Sequence, residues 1–158
     1  MKAVIVTGDR NATQHPGVLR DWEYVVRQVL AAVADDAIDG ELLVLLHGAC
    51  GLDAGAPNTG SMKGIDFLAD QVGKELGFLV VPIAADWTRH GKSAGPRRNR
   101  EMVRRLLQLR GNGSAVMTLA FHDAFTFSAG TRNCVIESFN AGIPARIYER
   151  SGQGRAYA

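Results

Sequence analysis

A Rossmann-like α/β domain, with a mostly parallel five-stranded sheet and helices on both faces, is predicted by three features of the chain. Short β-branched apolar runs alternate with longer segments of helical periodicity. The apolar runs are continuous, as in strands buried on both faces. Glycine or proline punctuates most of the junctions between them.

Taken in order, Ala3–Thr7 is a β-branched run that stops at Gly8 and reads as strand one. Pro16 opens a helix whose apolar residues Val18, Leu19, Trp22, Val25, Val26, Val29, Leu30 and Val33 recur at three- and four-residue steps, giving one buried face. Leu42–Leu46 is strand two and ends at His47-Gly48. Residues 51–61 are glycine-rich and aperiodic, a loop. Gly64–Leu76 reads as a helix with Ile65, Leu68, Ala69 and Val72 inward and Gly77 as its stop. Phe78–Ile83 is strand three. A helix is expected from Pro96 to Leu109, then strand four at 114–120, a helix at 130–141 closed by Gly142 and Pro144, and strand five at 145–148. The expectation is a single domain over residues 1–150 followed by a flexible tail over 151–158.

The chain has 158 residues, 46% of them hydrophobic and 22% charged, ordinary values for a globular domain that buries its core without disulfides. A net charge of +2 is too small to argue for bulk nucleic-acid or membrane binding. The only cysteines, Cys50 and Cys134, form no disulfide framework. Met1 leads straight into a strand without a signal-type core, and no apolar run approaches 18 residues. A cytoplasmic protein without a membrane segment is expected.

In open parallel sheets, ligands bind beyond the carboxyl ends of the strands, and the unusual residues gather there. Thr7, Gly8 and Arg10 leave strand one, where backbone amides and a guanidinium suit an anion. His47 and Gly48 leave strand two. Gly64 starts a helix whose free amides suit phosphate, and Asp66 reads either as a first-turn acid or as an acceptor for a ribose diol. Asp86 and Trp87 precede Gly95-Pro96-Arg97-Arg98-Asn99-Arg100, and Trp87 reads as a core-edge cap or as a wall against a base. Cations are unfavourable at a helix N-terminus, and an arriving anion removes that conflict. Arg97, Arg100 and Arg104 share a face read as solvated, whereas Arg98 lies on the side of Met102 and Leu109 and points inward. Ser128, Gly130 and Thr131 open the next helix, either as a simple cap or as a phosphate cradle. His47, Cys50 and Asp53 are metal-ligand types, but no fourth ligand has diagnostic spacing, so neither a metal nor a cofactor is expected.

Together these segments resemble the SLOG superfamily, named for the Smf/DprA and LOG proteins, and most closely its YspA-like branch. The matching segments are Thr7-Gly8-Asp9-Arg10; His47-Gly48 with Gly64-Ile65-Asp66; Ala85-Asp86-Trp87 through Gly95-Pro96-Arg97-Arg98-Asn99-Arg100-Glu101-Met102; and Gly130-Thr131 with Ala141-Gly142-Ile143-Pro144. The resemblance implies a Rossmann-like fold that binds nucleotides or nucleotide-derived ligands. LOG members cleave the N-glycosidic bond of nucleoside monophosphates with a Pro-Gly-Gly-x-Gly-Thr-x-x-Glu element. Here Phe127 and Ser128 replace the two glycines, and Cys134 stands at the glutamate position. An ordinary thiol is mostly neutral at pH 7 and is a poor substitute for that carboxylate. The leading expectation is therefore a non-catalytic protein that senses or sequesters an ADP-ribose-like or cyclic-nucleotide signal. The first alternative is a LOG-like phosphoribohydrolase with Glu137, one turn further on, as its catalytic carboxylate. Single-stranded nucleic-acid binding ranks last, because the interleaved aromatics of a stacking platform are missing. A homo-oligomer is left open. The glycines of 51–61 suit a mobile lid over the site.

Overall fold

The computed structural model describes residues 1–158. Its strands are β1 (Lys2–Gly8), β2 (Leu43–His47), β3 (Leu79–Pro82), β4 (Ala115–Phe121), β5 (Ala145–Tyr148) and β6 (Gly154–Ala156). Its helices are α1 (Pro16–Asp35), α2 (Gly64–Glu75), α3 (Trp87–His90), α4 (Ala94–Gly111) and α5 (Ala129–Asn140). The strands form one sheet in the order β3-β2-β1-β4-β5-β6, with every pair parallel except β5–β6. This is the predicted Rossmann-like α/β class.

The pleat sorts the core into two layers. Val4 and Val6 of β1 and Leu119 and Phe121 of β4 pack with Trp22, Val26 and Leu30 of α1 and Ile65, Leu68 and Val72 of α2. Ala3 and Ile5 face the other way, onto Met102, Val103 and Leu106 of α4 and Cys134 of α5. The inward residues expected from periodicity in the first two helices are those that pack into the core. From β1 the chain winds outward to β2 and β3, then returns to the other side of β1 to form β4. The ends of β1 and β4 are thus the topological switch point, where the loops diverge and leave a crevice.

The sheet has a sixth strand, a correction to the five expected. Residues 151–158 are not a loose end: β6 pairs antiparallel with β5, and the Tyr157 amide donates to Ala145 O at 2.9 Å. The Tyr157 ring meets Phe125 and Phe139 edge-on, with centroids 5.9 and 5.2 Å away. A free strand edge and an aromatic seat offset the entropy of ordering the tail.

The arginine helix also starts earlier than expected. α3 and a 3-10 turn at Gly91–Ser93 run into α4 at Ala94, so Gly95 and Pro96 lie inside its first turn. Proline is tolerated there because first-turn amides have no helical partner.

Candidate functional site

At the end of β1, Gly8 answers a packing demand. A Cβ there would lie 2.5 Å from Phe121 O and 2.6 Å from Ile65 Cγ1, and the next amide, Asp9 N, donates to Phe121 O at 2.9 Å. Thr7 is half-buried near the end of β1. Arg10 is exposed on the loop that follows.

His47 is not a ligand contact in this arrangement. The residue is 0% exposed, its Nε2 lies 2.8 Å from Asp70 Oδ2, and its Nδ1 accepts the Ala49 amide at 3.0 Å. Both ring nitrogens are occupied, which places the proton on Nε2. Lys74 Nζ bonds the other Asp70 oxygen at 2.6 Å. Burial pushes the Asp70 carboxyl up, but Lys74 and His47 outweigh it and hold the group below its ordinary range. Asp66 is likewise buried, and its Oδ2 accepts the Cys50 amide at 2.9 Å. His47 and Asp66 together hold the turn 47–50, which is tight enough to carry Ala49 at φ 48°.

The start of α2 corrects a second expectation. The Gly64 amide donates to Thr13 Oγ1 at 2.9 Å and the Ile65 amide to Asp9 O at 3.0 Å, so the loop after β1 already occupies the proposed phosphate cradle. Gly64 has φ +69°, and a Cβ would lie 2.5 Å from Asp9 O. The glycine therefore permits a close backbone crossing.

The glycine-rich loop is pinned at Asp53. Its Oδ1 accepts the amides of Gly55 and Trp87, both at 2.9 Å, its Oδ2 accepts the Thr88 hydroxyl at 2.6 Å, and Ala54 N donates to Ala85 O at 2.9 Å. These bonds anchor the loop against the idea of a free lid. Asp86 caps α3 through the Arg89 amide at 2.9 Å. Trp87, 44% exposed, covers the start of α4, where a Gly95 Cβ would lie 3.2 Å from its ring. The Trp87 ring thus packs beside the first turn of α4.

Arg98 lies where its helix phase predicted. It is half-buried, its Nη1 donates to Gly48 O and its Nε donates to Asn99 Oδ1 at 3.0 Å. Its guanidinium fills the space where a Gly48 Cβ would be. Arg97, Arg100 and Arg104 are exposed, as expected, with Arg104 paired to Glu101. Asn99 is a buried strut: its Nδ2 donates to Asn133 Oδ1 at 2.9 Å and to Gly130 O at 3.3 Å, tying α4 to the start of α5. Ser128 caps α5 by accepting the Thr131 amide at 3.2 Å, and Thr131 itself is buried. The Ala129 and Gly130 amides have no protein acceptor. They remain available to an anion at the positive end of the helix.

Arg98 bridges the two halves of this region. Its charge acts on Asp66, Cys50 and Cys134 alike. Burial pushes the Cys134 thiol up to about 12, which keeps it in its neutral form near pH 7. Cys50, half-buried, is also pushed up by burial and Asp66, with Arg10, Lys63 and Arg98 opposing. Glu137 is half-buried one turn beyond Cys134 and makes no ion pair or side-chain hydrogen bond. Thr13, Asp53, Asp70 and Asn133 were not legible as site-shaping residues. Only Asp53, followed by Gly55, carries a local turn signal.

Burial, opposed by His47, Arg98 and the Cys50 and Gly48 amides, raises the Asp66 carboxyl above its ordinary 3.8. A raised acid leaves stability intact below its unfolded value and removes it as pH climbs through the folded value. Asp66→Asn keeps an acceptor for Cys50 and cannot ionise. The Tm of Asp66→Asn minus that of the wild type is expected to be larger at about pH 7 than at about pH 4. A constant or inverted difference in calorimetric melts would refute it.

No protein-family model matches the chain, and no solved structure matches it. The Gene 61 protein of Mycobacterium phage D29 is 41% identical over 90 residues, which cover 54% of this chain and 64% of that relative. The match spans less than two thirds of the relative's length.

No helix is long and apolar enough to cross a membrane.

Proposed function

We propose that the chain binds a nucleotide or nucleotide-derived molecule, of the ADP-ribose or cyclic-nucleotide type, and acts as a sensor or sequestering protein. The observation that carries this reading is Arg98, a half-buried guanidinium at the switch point with no carboxylate within 4.0 Å. A planar fork held this way suits the paired oxygens of a phosphate. Arg10 and Lys63, which act on the same Cys50 thiol as Arg98, are also unpaired. Across the crevice, α5 offers the amides of Ala129 and Gly130. The resemblance to the SLOG superfamily supports the same class of ligand.

A ligand at 100 times its dissociation constant adds about 2.7 kcal/mol, enough to raise the Tm of a domain this size by about 5–10 °C. The test is a thermal-shift screen of mononucleotides, NAD, ADP-ribose and cyclic dinucleotides. No shift with any of them would end the proposal.

By the resemblance, Cys134 stands where the LOG members carry their glutamate, and loss of a positioned acid or base costs about 10²–10⁴ in rate. The wild type is therefore expected to release little or no free base during long incubation with AMP, GMP, CMP and UMP, followed by chromatography. Multiple turnovers abolished by Glu137→Gln would replace binding with a phosphoribohydrolase reading.

A further inference from the structure

A groove opens on the sheet face away from α4 and α5, along the flank of α1. Both α1 and α2 pack on one face of the sheet and cover β1 to β3, while α4 and α5 take the other face. Past the contact of Trp22 with Phe121 at the end of β4, no helix packs over β5 and β6 on the first face. The result is a groove of about 590 Å³ between the flank of α1 and the outward residues of β4 and β5, Met117, Arg146 and Tyr148 among them.

We infer that this groove is a self-association surface, in which two copies of the chain pack about a two-fold axis and each inserts its Tyr24 into the groove of the other. Tyr24 stands on the groove's own lip and is 64% exposed. A protruding aromatic and an apolar hollow on one patch are what an isologous interface requires, since residue i meets j while j meets i. The chemistry of the lining fits a protein partner. Along α1 the lip continues through Gln28 and Ala32, both uncharged, while the helix's other flank carries the Glu23–Arg27–Glu75 ion pairs. Lys2 and Asp36, which also line the groove, neutralise each other. Tyrosine, methionine and arginine amid few charges are the residues that mark the centre of an interface.

Arg146 is the one unpaired charge in the lining. Its Nε donates to Tyr148 Oη at 3.2 Å, its guanidinium lies 5.7 Å from that ring's centroid, and its terminal nitrogens have no protein acceptor. An incoming tyrosine hydroxyl supplies an acceptor there and a ring for the apolar walls. The face is also large enough. Its 20 residues make α1 about 30 Å long, and its width of about 10 Å with about 14 Å more across β4 to β6 gives a face of the order of the ~800 Å² per partner in a standard interface. Because the groove is on the face covered by α1, whereas α4 and α5 pack on the other face, a dimer built this way leaves the nucleotide site open.

The test is sedimentation of the wild type and of Tyr24→Ala across the micromolar range, with circular dichroism to confirm that the exposed substitution leaves the fold intact. The wild type is expected to dimerise, and Tyr24→Ala to weaken the dimer about tenfold or more, as loss of a hot-spot tyrosine does. A second measurement uses a Cys50→Ser background. Copies carrying Tyr24→Cys are mixed with copies carrying Met117→Cys and treated with a short bismaleimide. The mixture is expected to yield far more covalent dimer than either variant alone. A monomeric wild type, a dimer indifferent to Tyr24→Ala, or cross-linking no better in the mixture would each overturn the inference, whatever small molecule or other protein then occupies the groove.

Discussion

Arg98→Ala is expected to weaken nucleotide binding by about ten- to a hundredfold, whereas Arg104→Ala leaves it unchanged. A charge-assisted hydrogen bond is worth about 1.5–3 kcal/mol, and an exposed ion pair is worth about 0–1. Arg98 is half-buried, fixed at one side by Gly48 O and Asn99 Oδ1, and has no carboxylate to compete with an arriving phosphate. Arg104 is exposed and already holds Glu101 at 2.6 Å, an interaction that keeps the Glu101 carboxyl down at about 2. Because Arg98 also tethers the turn after β2, the variant's melting curve should accompany the titration. Arg98→Lys, which keeps charge but loses the fork, is expected to fall between the two. Isothermal titration with the nucleotide giving the largest thermal shift decides the matter. Equal losses in Arg98→Ala and Arg104→Ala would show that the anion binds elsewhere.

The largest stability effect is expected at Gly64. An L-residue at φ +69° costs about 1–2 kcal/mol, and forcing a methyl against fixed neighbours adds about 1–3. The contacts that a Cβ would meet are backbone atoms, Asp9 O at 2.5 Å and Arg10 Cα at 2.7 Å, which have no side-chain rotation to yield with. Gly64→Ala is therefore expected to lose about 2–5 kcal/mol, lowering Tm by roughly 5–20 °C. Gly130→Ala is the control: no atom lies within 4 Å of its Cβ position, and its helical setting favours alanine. A Gly64→Ala variant as stable as Gly130→Ala would mean that the loop after β1 does not cross the start of α2 this closely.

The comparison of Gly64 with Gly130 also bears on how far the site could be read before folding. Both are glycines near the start of a helix, and both suggest free amides facing phosphate. In α5 the amides are free, because Ser128 engages the Thr131 amide and leaves those of Ala129 and Gly130 without acceptors. In α2 they are not, because Thr13 and Asp9, more than fifty residues upstream, already accept the first amides. His47 and Asp66 follow the same pattern. Their residue types suit a ligand, yet Asp70, Ala49 and Cys50 use their hydrogen-bonding atoms to hold a turn. The loop 51–61 resembles a lid by composition, and the bonds to Asp53 oppose that reading.

Periodicity along the chain was enough to place the strands β1 to β5, the inward faces of α1 and α2, the solvated face of Arg97, Arg100 and Arg104, and the inward phase of Arg98. These follow from short-range geometry, in which 3.6- and 2-residue repeats decide which side chains share a face. Contacts between distant segments settled the rest: which helix N-terminus stays open, which polar side chains are consumed in holding turns, the pairing of β6, and the part of one sheet face, over β5 and β6, left without a helix. The physical reason is that a hydrogen-bonding group has few bonds to give. Whether it serves the fold or a ligand depends on which partner the packed chain brings within about 3 Å of it.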